Sequence, residues 1–290
     1  MKKSRKLATL GICSALFLGL AACQQQHATS EGTNQRQSSS AKVPWKASYT
    51  NLNNQVSTEE VKSLLSAHLD PNSVDAFFNL VNDYNTIVGS TGLSGDFTSL
   101  THTEYDVEKI SHLWNQKKGD FVGTNCRINS YCLLKNSVTI PKLEKNDQLL
   151  FLDNDAIDKG KVFDSQDKEE FDILFSRVPT EATTDVKVHA EKMETFFSQF
   201  QFNEKARMLS VVLHDNLDGE YLFVGHVGVL VPADDGFLFV EKLTFEEPYQ
   251  AIKFASKEDC YKYLGTKYAD YTGEGLAKPF IMDNDKWVKL

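Results

Sequence analysis

Three residues in this chain have the types and the order that thiol chemistry needs: Cys126, then His226, then Glu241. A cysteine attacks a carbonyl as its thiolate, an imidazole holds that thiolate and later returns a proton, and a carboxylate orients the imidazole. Each residue has a duller reading. Cysteine is commonly a small core residue, a lone strand histidine is commonly a hydrogen-bonded core residue, and Glu241 with Lys242 could mark a strand emerging into solvent. The local sequence decides how far each case goes.

Cys126 lies in "GDFVGTNCRINSYCLLKNSV", where Thr124 or Asn125 serves as N-cap and Ile128, Tyr131 and Cys132 continue an apolar side toward Val138. The thiol then sits in the first turn of a helix. Unsatisfied N–H groups there favour thiolate over thiol and can donate to a developing oxyanion. His226 stands in "GHVGVLV", an otherwise apolar strand. Gly228, two residues on, removes a side chain on the same face, as room for a substrate backbone would require. If Pro232 to Asp235 form a four-residue hairpin loop, residue 231 pairs with 236 and Glu241 falls opposite His226; a one-residue shift would put Lys242 there. Glu241 shares its face with Phe237, Phe239 and Leu243, a costly place for an unpaired carboxylate.

These residues need a scaffold, and the patterning supplies one. Ser57 and Glu60 form a capping box ahead of Val61, Leu64, Leu65 and His68. Asp70-Pro71 ends that helix, and a second carries Val74, Phe77, Phe78 and Val81 on one side until Gly89. Thr103 caps a third, with Val107, Ile110, Leu113 and Trp114 inward. In 140–205, "DQLLFLD" reads as a strand, while "KEEFDILFSRV" and "HAEKMETFFSQFQF" read as helices. The period then changes: "MLSVVLHD", "EYLFVGHVGVLVP" and "GFLFVEKLTF" are apolar β-runs separated by "NLDG" and "ADDG", an antiparallel meander covered on both faces. Ser256 and Asp259 head a further helix, and "FIMDNDKWVKL" reads as a hairpin around Asn284. Helices first and sheet second predict an α+β fold.

The order of the three residues and two of their motifs resemble the papain-like cysteine hydrolases, and most closely the NlpC-type cell-wall peptidases and amidases. "NCRINSYCLL" is similar to that family's Asp-Cys-Ser-Gly helix start and "HVGVLV" to its His-Val-Gly-Ile strand. The chain also looks like a group of uncharacterised Gram-positive lipoproteins that carry this Thr-Asn-Cys-Arg motif. The resemblance covers about 35 residues in three patches. It implies a papain-like fold, catalytic roles for Cys126, His226 and Glu241, and hydrolysis of peptide or amide bonds in peptidoglycan. Asn125-Cys126-Arg127 departs from Asp-Cys-Ser, and the Cys126–His226 spacing requires 140–205 to be an insertion. Asp120, Tyr84 and Asn85 are the upstream candidates for an oxyanion donor.

The N-terminus assigns a compartment. Lys2, Lys3, Arg5 and Lys6 precede an apolar run from Leu7 to about Leu20, a signal-peptide core too short for a comfortable membrane span. It closes in Leu20-Ala21-Ala22-Cys23, which looks like a lipobox with Cys23 as the lipidated residue. Residues 1–22 are then the signal peptide. Residues 23–45 form a tether rich in Gln, Ser and Thr, unable to bury enough surface to fold, and 46–290 a single domain. The expected location is the extracytoplasmic face of the membrane, held by lipid.

The chain has 31 basic and 40 acidic residues, and the signal segment removes four basic residues and no acidic one. With no clustered Lys or Arg, nucleic acid is disfavoured as a partner. Of five cysteines, Cys126, Cys132 and Cys260 remain after cleavage and lipidation. On one helix Cys126 and Cys132 would lie about 240° and about 9 Å apart, too far for a disulfide; Cys260 could pair with either. The histidines at 27, 68, 102, 112, 189 and 214 show no metal-ligand spacing. No phosphate loop or dinucleotide fingerprint occurs, so no cofactor is implied. The competing function is a non-enzymatic surface lipoprotein that binds a wall fragment or a protein partner.

Overall fold

The computed structural model describes residues 46–290 except His102, and these belong to one compact unit. The expected signal segment, Cys23 and the tether as far as residue 45 lie outside the described residues. Among the described residues no helix is long and apolar enough to cross a membrane.

Strand β1 (Ala47–Thr50) precedes helices α1 (Gln55–Ser66) and α2 (Pro71–Val88). The α1 cap is Asn54, whose side-chain oxygen accepts from Ser57 N at 2.9 Å. The helix therefore starts ahead of the expected Ser57 box. Asp70 caps α2, Pro71 takes its first position, where a missing N–H costs nothing, and Gly89 ends it. After β2 (Thr98–Ser99), α3 (Val107–Lys118) is capped by Asp106, not Thr103. That later start leaves Val107 exposed and Ile110 and Trp114 buried.

α4 (Cys126–Leu134) begins at Cys126 with Asn125 as N-cap and stops short of Val138, which belongs to β3 (Val138–Thr139). The expected strand at "DQLLFLD" is helical, part of α5 (Phe151–Gly160) and the 3-10 turn before it. Of its apolar run only Leu150 is buried, while Phe151 is exposed and the buried side of α5 is Asp153, Ala156 and Ile157; periodicity alone does not separate helix from strand over so few residues. α6 (Ser165–Leu174), β4 (Val178–Pro179), α7 (Val186–Phe197) and β5 (Gln201–Phe202) follow.

The meander is β6 (Arg207–Asp215), β7 (Tyr221–Ala233) and β8 (Gly236–Lys242); β9 (Tyr249–Phe254), α8 (Lys257–Lys267), β10 (Phe280–Asp283) and β11 (Lys286–Val288) complete the chain. The nine-stranded sheet runs β11-β10-β6-β7-β8-β9-β1-β2, with β4 on β7 and every pairing antiparallel. β3 and β5 form a separate pair. The protein is α+β, although β1 brings the first described residues into the sheet ahead of any helix. The sheet is covered on both faces. Val227, Val229, Val231, Leu238 and Val240 pack with residues of α1, α2, α4 and α7. Leu230, Phe239, Ile252 and Phe254 pack with Cys260, Tyr263 and Leu264 of α8.

Candidate functional site

The β7–β8 turn sets the relation between His226 and Glu241. Ala233 pairs with Gly236 and Val229 with Val240, so the loop is Asp234-Asp235 alone, not the four residues expected. Continued along the strands, this register puts Glu241 beside Gly228 rather than opposite His226. The slip is of two residues, which preserves the face, whereas a slip of one would have exchanged Glu241 for Lys242. Both side chains thus lie on the α8 side, and the imidazole reaches its carboxylate diagonally: His226 Nε2 donates to Glu241 Oε2 at 2.5 Å. Glu241 and Lys242 are each 1% exposed, so neither marks a strand leaving the core.

Beside His226 the strand is irregular. Val211 faces His226 and Val212 faces Val224, leaving Gly225 as the extra residue of a β-bulge. A bulge re-aims neighbouring side chains and increases local twist. The ladder between β7 and β8 starts only at Val229–Val240, while β4 pairs with Leu222 and Tyr221. Among the described residues, 223–228 therefore pair with β6 alone. Through this opening the first turn of α4 approaches from the other face. Ser130 Oγ donates to Val227 O at 3.2 Å, and the thiol of Cys126 hydrogen-bonds the imidazole of His226. With Nε2 on Glu241, the ring nitrogen left for sulfur is Nδ1. The structure brings Cys126, His226 and Glu241 into one chain of hydrogen bonds.

The charges in that chain reinforce each other. Burial opposes ionisation of all three groups, but their mutual contacts outweigh it. The His226 charge and hydrogen bond bring the Cys126 thiol below its ordinary value. Cys126 and Glu241 together raise His226 to about 9. Lys267, His226 and Tyr263 hold Glu241 down at about 2. The other two thiols behave oppositely: burial drives Cys132 up to about 12 and Cys260 well above its usual range. All three described cysteines are unpaired, so Cys260 forms no disulfide with either.

Sequence reasoning missed the partners from α8. Tyr263 Oη donates to Glu241 Oε1 at 2.6 Å and Lys267 Nζ to the same oxygen at 3.2 Å. Tyr268 stacks on His226, with ring centroids 4.8 Å apart and planes inclined by 23°. Their signal was only helical spacing of 263 and 267, which looks like an amphipathic face. Lys242, on the opposite face of β8, donates from Nζ to Thr244 O at 2.8 Å, Phe245 O at 3.2 Å and the Glu247 carbonyl. It also lies 4.2 Å from the centroid of Tyr84.

Two expectations change. A Cβ at Gly228 would come within 2.3 Å of Phe239 Cζ and 2.8 Å of Val240 O. The missing side chain makes room for the core, not for a substrate backbone. The upstream oxyanion candidates are engaged elsewhere: the Tyr84 hydroxyl donates to Glu246 O, and Asn85 Nδ2 donates to Asn51 O at 2.9 Å and Leu52 O at 2.8 Å. Asp120 is exposed and meets Lys159 at 3.3 Å. What remains is the Cys126 backbone N–H, which at the first helical position has no intrahelical acceptor.

The site is closed. Cys126 is 4%, His226 2% and Glu241 1% exposed. Two open grooves of about 480 and 600 Å³ share Val178, Phe196 and Gln199 and include none of the three. Among the described residues no group of three or more His, Cys, Asp or Glu could hold a metal ion.

A buried thiol–imidazole–carboxylate relay carried by a helix start and two strands defines the class of site. The chain belongs to the family described as "Domain of unknown function (DUF4300)", whose model matches residues 48–288. No curated protein and no solved structure matches it.

Proposed function

We propose that the protein is a lipid-anchored extracytoplasmic cysteine hydrolase of papain-like, NlpC-type organisation that cleaves a peptide or amide bond of the cell wall. The observation that carries this is the hydrogen-bonded series Cys126–His226–Glu241, with the thiol at the first position of α4. Cys126 attacks the carbonyl as thiolate, and the Cys126 N–H donates to the oxyanion. His226 gives its proton to the leaving amine, forming a thioester that water hydrolyses with His226 as base. Glu241 keeps the imidazole oriented and charged. The wall substrate follows from the compartment expected of Cys23 and from the family resemblance.

The test is alkylation of Cys126 by iodoacetamide against pH, followed at the Cys126 peptide by mass spectrometry, beside hydrolysis of purified wall peptides. The expected profile has a plateau reaching below neutrality that vanishes in His226→Ala, and Cys126→Ser abolishes hydrolysis. The burial of Cys126 favours a second reading, a non-enzymatic surface lipoprotein that binds a wall fragment or protein partner. Alkylation only in denaturant would establish that reading and overturn the enzyme. Anchoring is tested separately: Cys23→Ala should abolish incorporation of a clickable fatty acid in cells.

A further inference from the structure

Arg127 follows Cys126 directly and grips two other elements at once. Nε and Nη2 hold the two oxygens of Asp153 at 2.9 and 2.7 Å, and Nη1 donates to Val224 O at 3.0 Å. Asp153 lies in the first turn of α5 and is 1% exposed. Its Oδ1 also accepts from Asn125 Nδ2 at 2.8 Å, while Asn125 Oδ1 caps the helix by accepting from Ile128 N at 3.1 Å. Both neighbours of Cys126 are thus tied to one buried carboxylate. Val224 adjoins the bulged Gly225 and stands two residues before His226.

An ion pair that served only to pack α5 on α4 would not need the third contact. The Val224 carbonyl belongs to the strand that carries the base, at the point where its ladder is irregular. Only guanidinium, with five donors in a fixed plane, can hold a carboxylate along one edge and a carbonyl along another. The segment between α4 and β6 supplies Asp153, the carboxylate that both Asn125 and Arg127 hold.

We infer that Arg127, locked by Asp153, is a positioning residue that sets the reach between the Cys126 sulfur and the His226 imidazole. This rests on the thiol–imidazole reading of the site. Arg127 acts through the helix start and the strand, and no bond to substrate is assigned to it.

The test uses the full chain in detergent and the pH profile of Cys126 alkylation, with far-UV circular dichroism to monitor folding. Asp153→Asn removes a negative charge near the sulfur, so charge alone would move the thiol profile to lower pH. Loss of positioning moves it to higher pH, and that upward displacement is expected, with a rate at neutral pH lower by roughly tenfold. Arg127→Lys keeps the charge but not the fork, and should show the same displacement. A downward displacement in Asp153→Asn, or a wild-type profile in Arg127→Lys, overturns the inference. If Asp153→Asn does not fold, Arg127→Lys decides. The control is His226→Ala: if it leaves the profile unchanged, the underlying reading fails, whereas a shift in His226→Ala alone defeats only the role of Arg127.

Discussion

Two buried histidines on adjacent strands each meet a glutamate, and only one of them has a thiol. On β6, His214 Nε2 donates to Glu220 at 2.7 Å, Nδ1 accepts from the backbone N–H of Ala277 at 3.1 Å, and the ring packs 4.4 Å from His189. Both ring nitrogens are engaged, one by a carboxylate and the other by a backbone N–H. On β7, His226 has the same kind of carboxylate partner, but its other nitrogen faces Cys126. A histidine–carboxylate pair therefore marks a well-satisfied core as readily as a reactive site. The third group decides, because only a thiol at a helix start can exchange a proton with the ring.

The strongest way to break this contrast is to remove each ring in turn. His226→Ala should lower hydrolysis of wall peptides by about 10²–10⁴-fold, the usual contribution of a positioned acid–base group, and displace the Cys126 alkylation profile to above the ~8.5 of a free thiol, because burial still opposes the thiolate. His214→Ala should leave the alkylation profile in place and cost about 2–4 kcal/mol in urea unfolding, since the Ala277 N–H and Glu220 lose their buried partner. Equal effects of the two substitutions on alkylation would end the distinction.

The pH response sharpens it. His226 is raised to about 9, so its contribution to stability is complete below the ordinary ~6.5 and is lost as pH rises through about 9. Glu241 is depressed to about 2, so its contribution is present above the ordinary ~4.3 and is lost as pH falls through about 2. Hydrolysis should rise as Cys126 loses its proton and fall again near pH 9 as His226 loses the one it must donate. A rate that stays level beyond that point would mean that His226 is not the acid.

The smallest effect concerns the support of the carboxylate. Tyr263→Phe removes one bond to Glu241 while Lys267 and His226 keep theirs. Hydrolysis should drop only a few-fold, the value of about 1 kcal/mol for one hydrogen bond, with KM unchanged. A loss as large as that of Cys126→Ser would show that Glu241 depends on Tyr263 for more than orientation.

What the chain made legible was local. Asn125 and Ser256 announce helix starts because a side-chain oxygen reaches an N–H group three positions on, whereas Asp70-Pro71, read as the break that ends one helix, also caps the next. The alternation in "FLFVEK" put Glu241 among buried rings, and because strand side chains repeat every two residues its face survived an error of two in register. Cys126 at a helix start, His226 in an apolar strand and a carboxylate on the next strand were all readable from neighbours in sequence.

Tertiary structure decided the rest. "DQLLFLD" became helical because its apolar run is too short for periodicity to choose. Phe239 filled the space that Gly228 had seemed to leave for substrate, a contact across strands that spacing does not encode. Asp153, Tyr263, Lys267 and Tyr268 reach the site from α5 and from α8 and the residue after it, and nothing near them in sequence marks that destination. A hydrogen bond between residues 22 or more apart depends on how elements pack, so the sequence determines which groups can ionise and the fold determines which do.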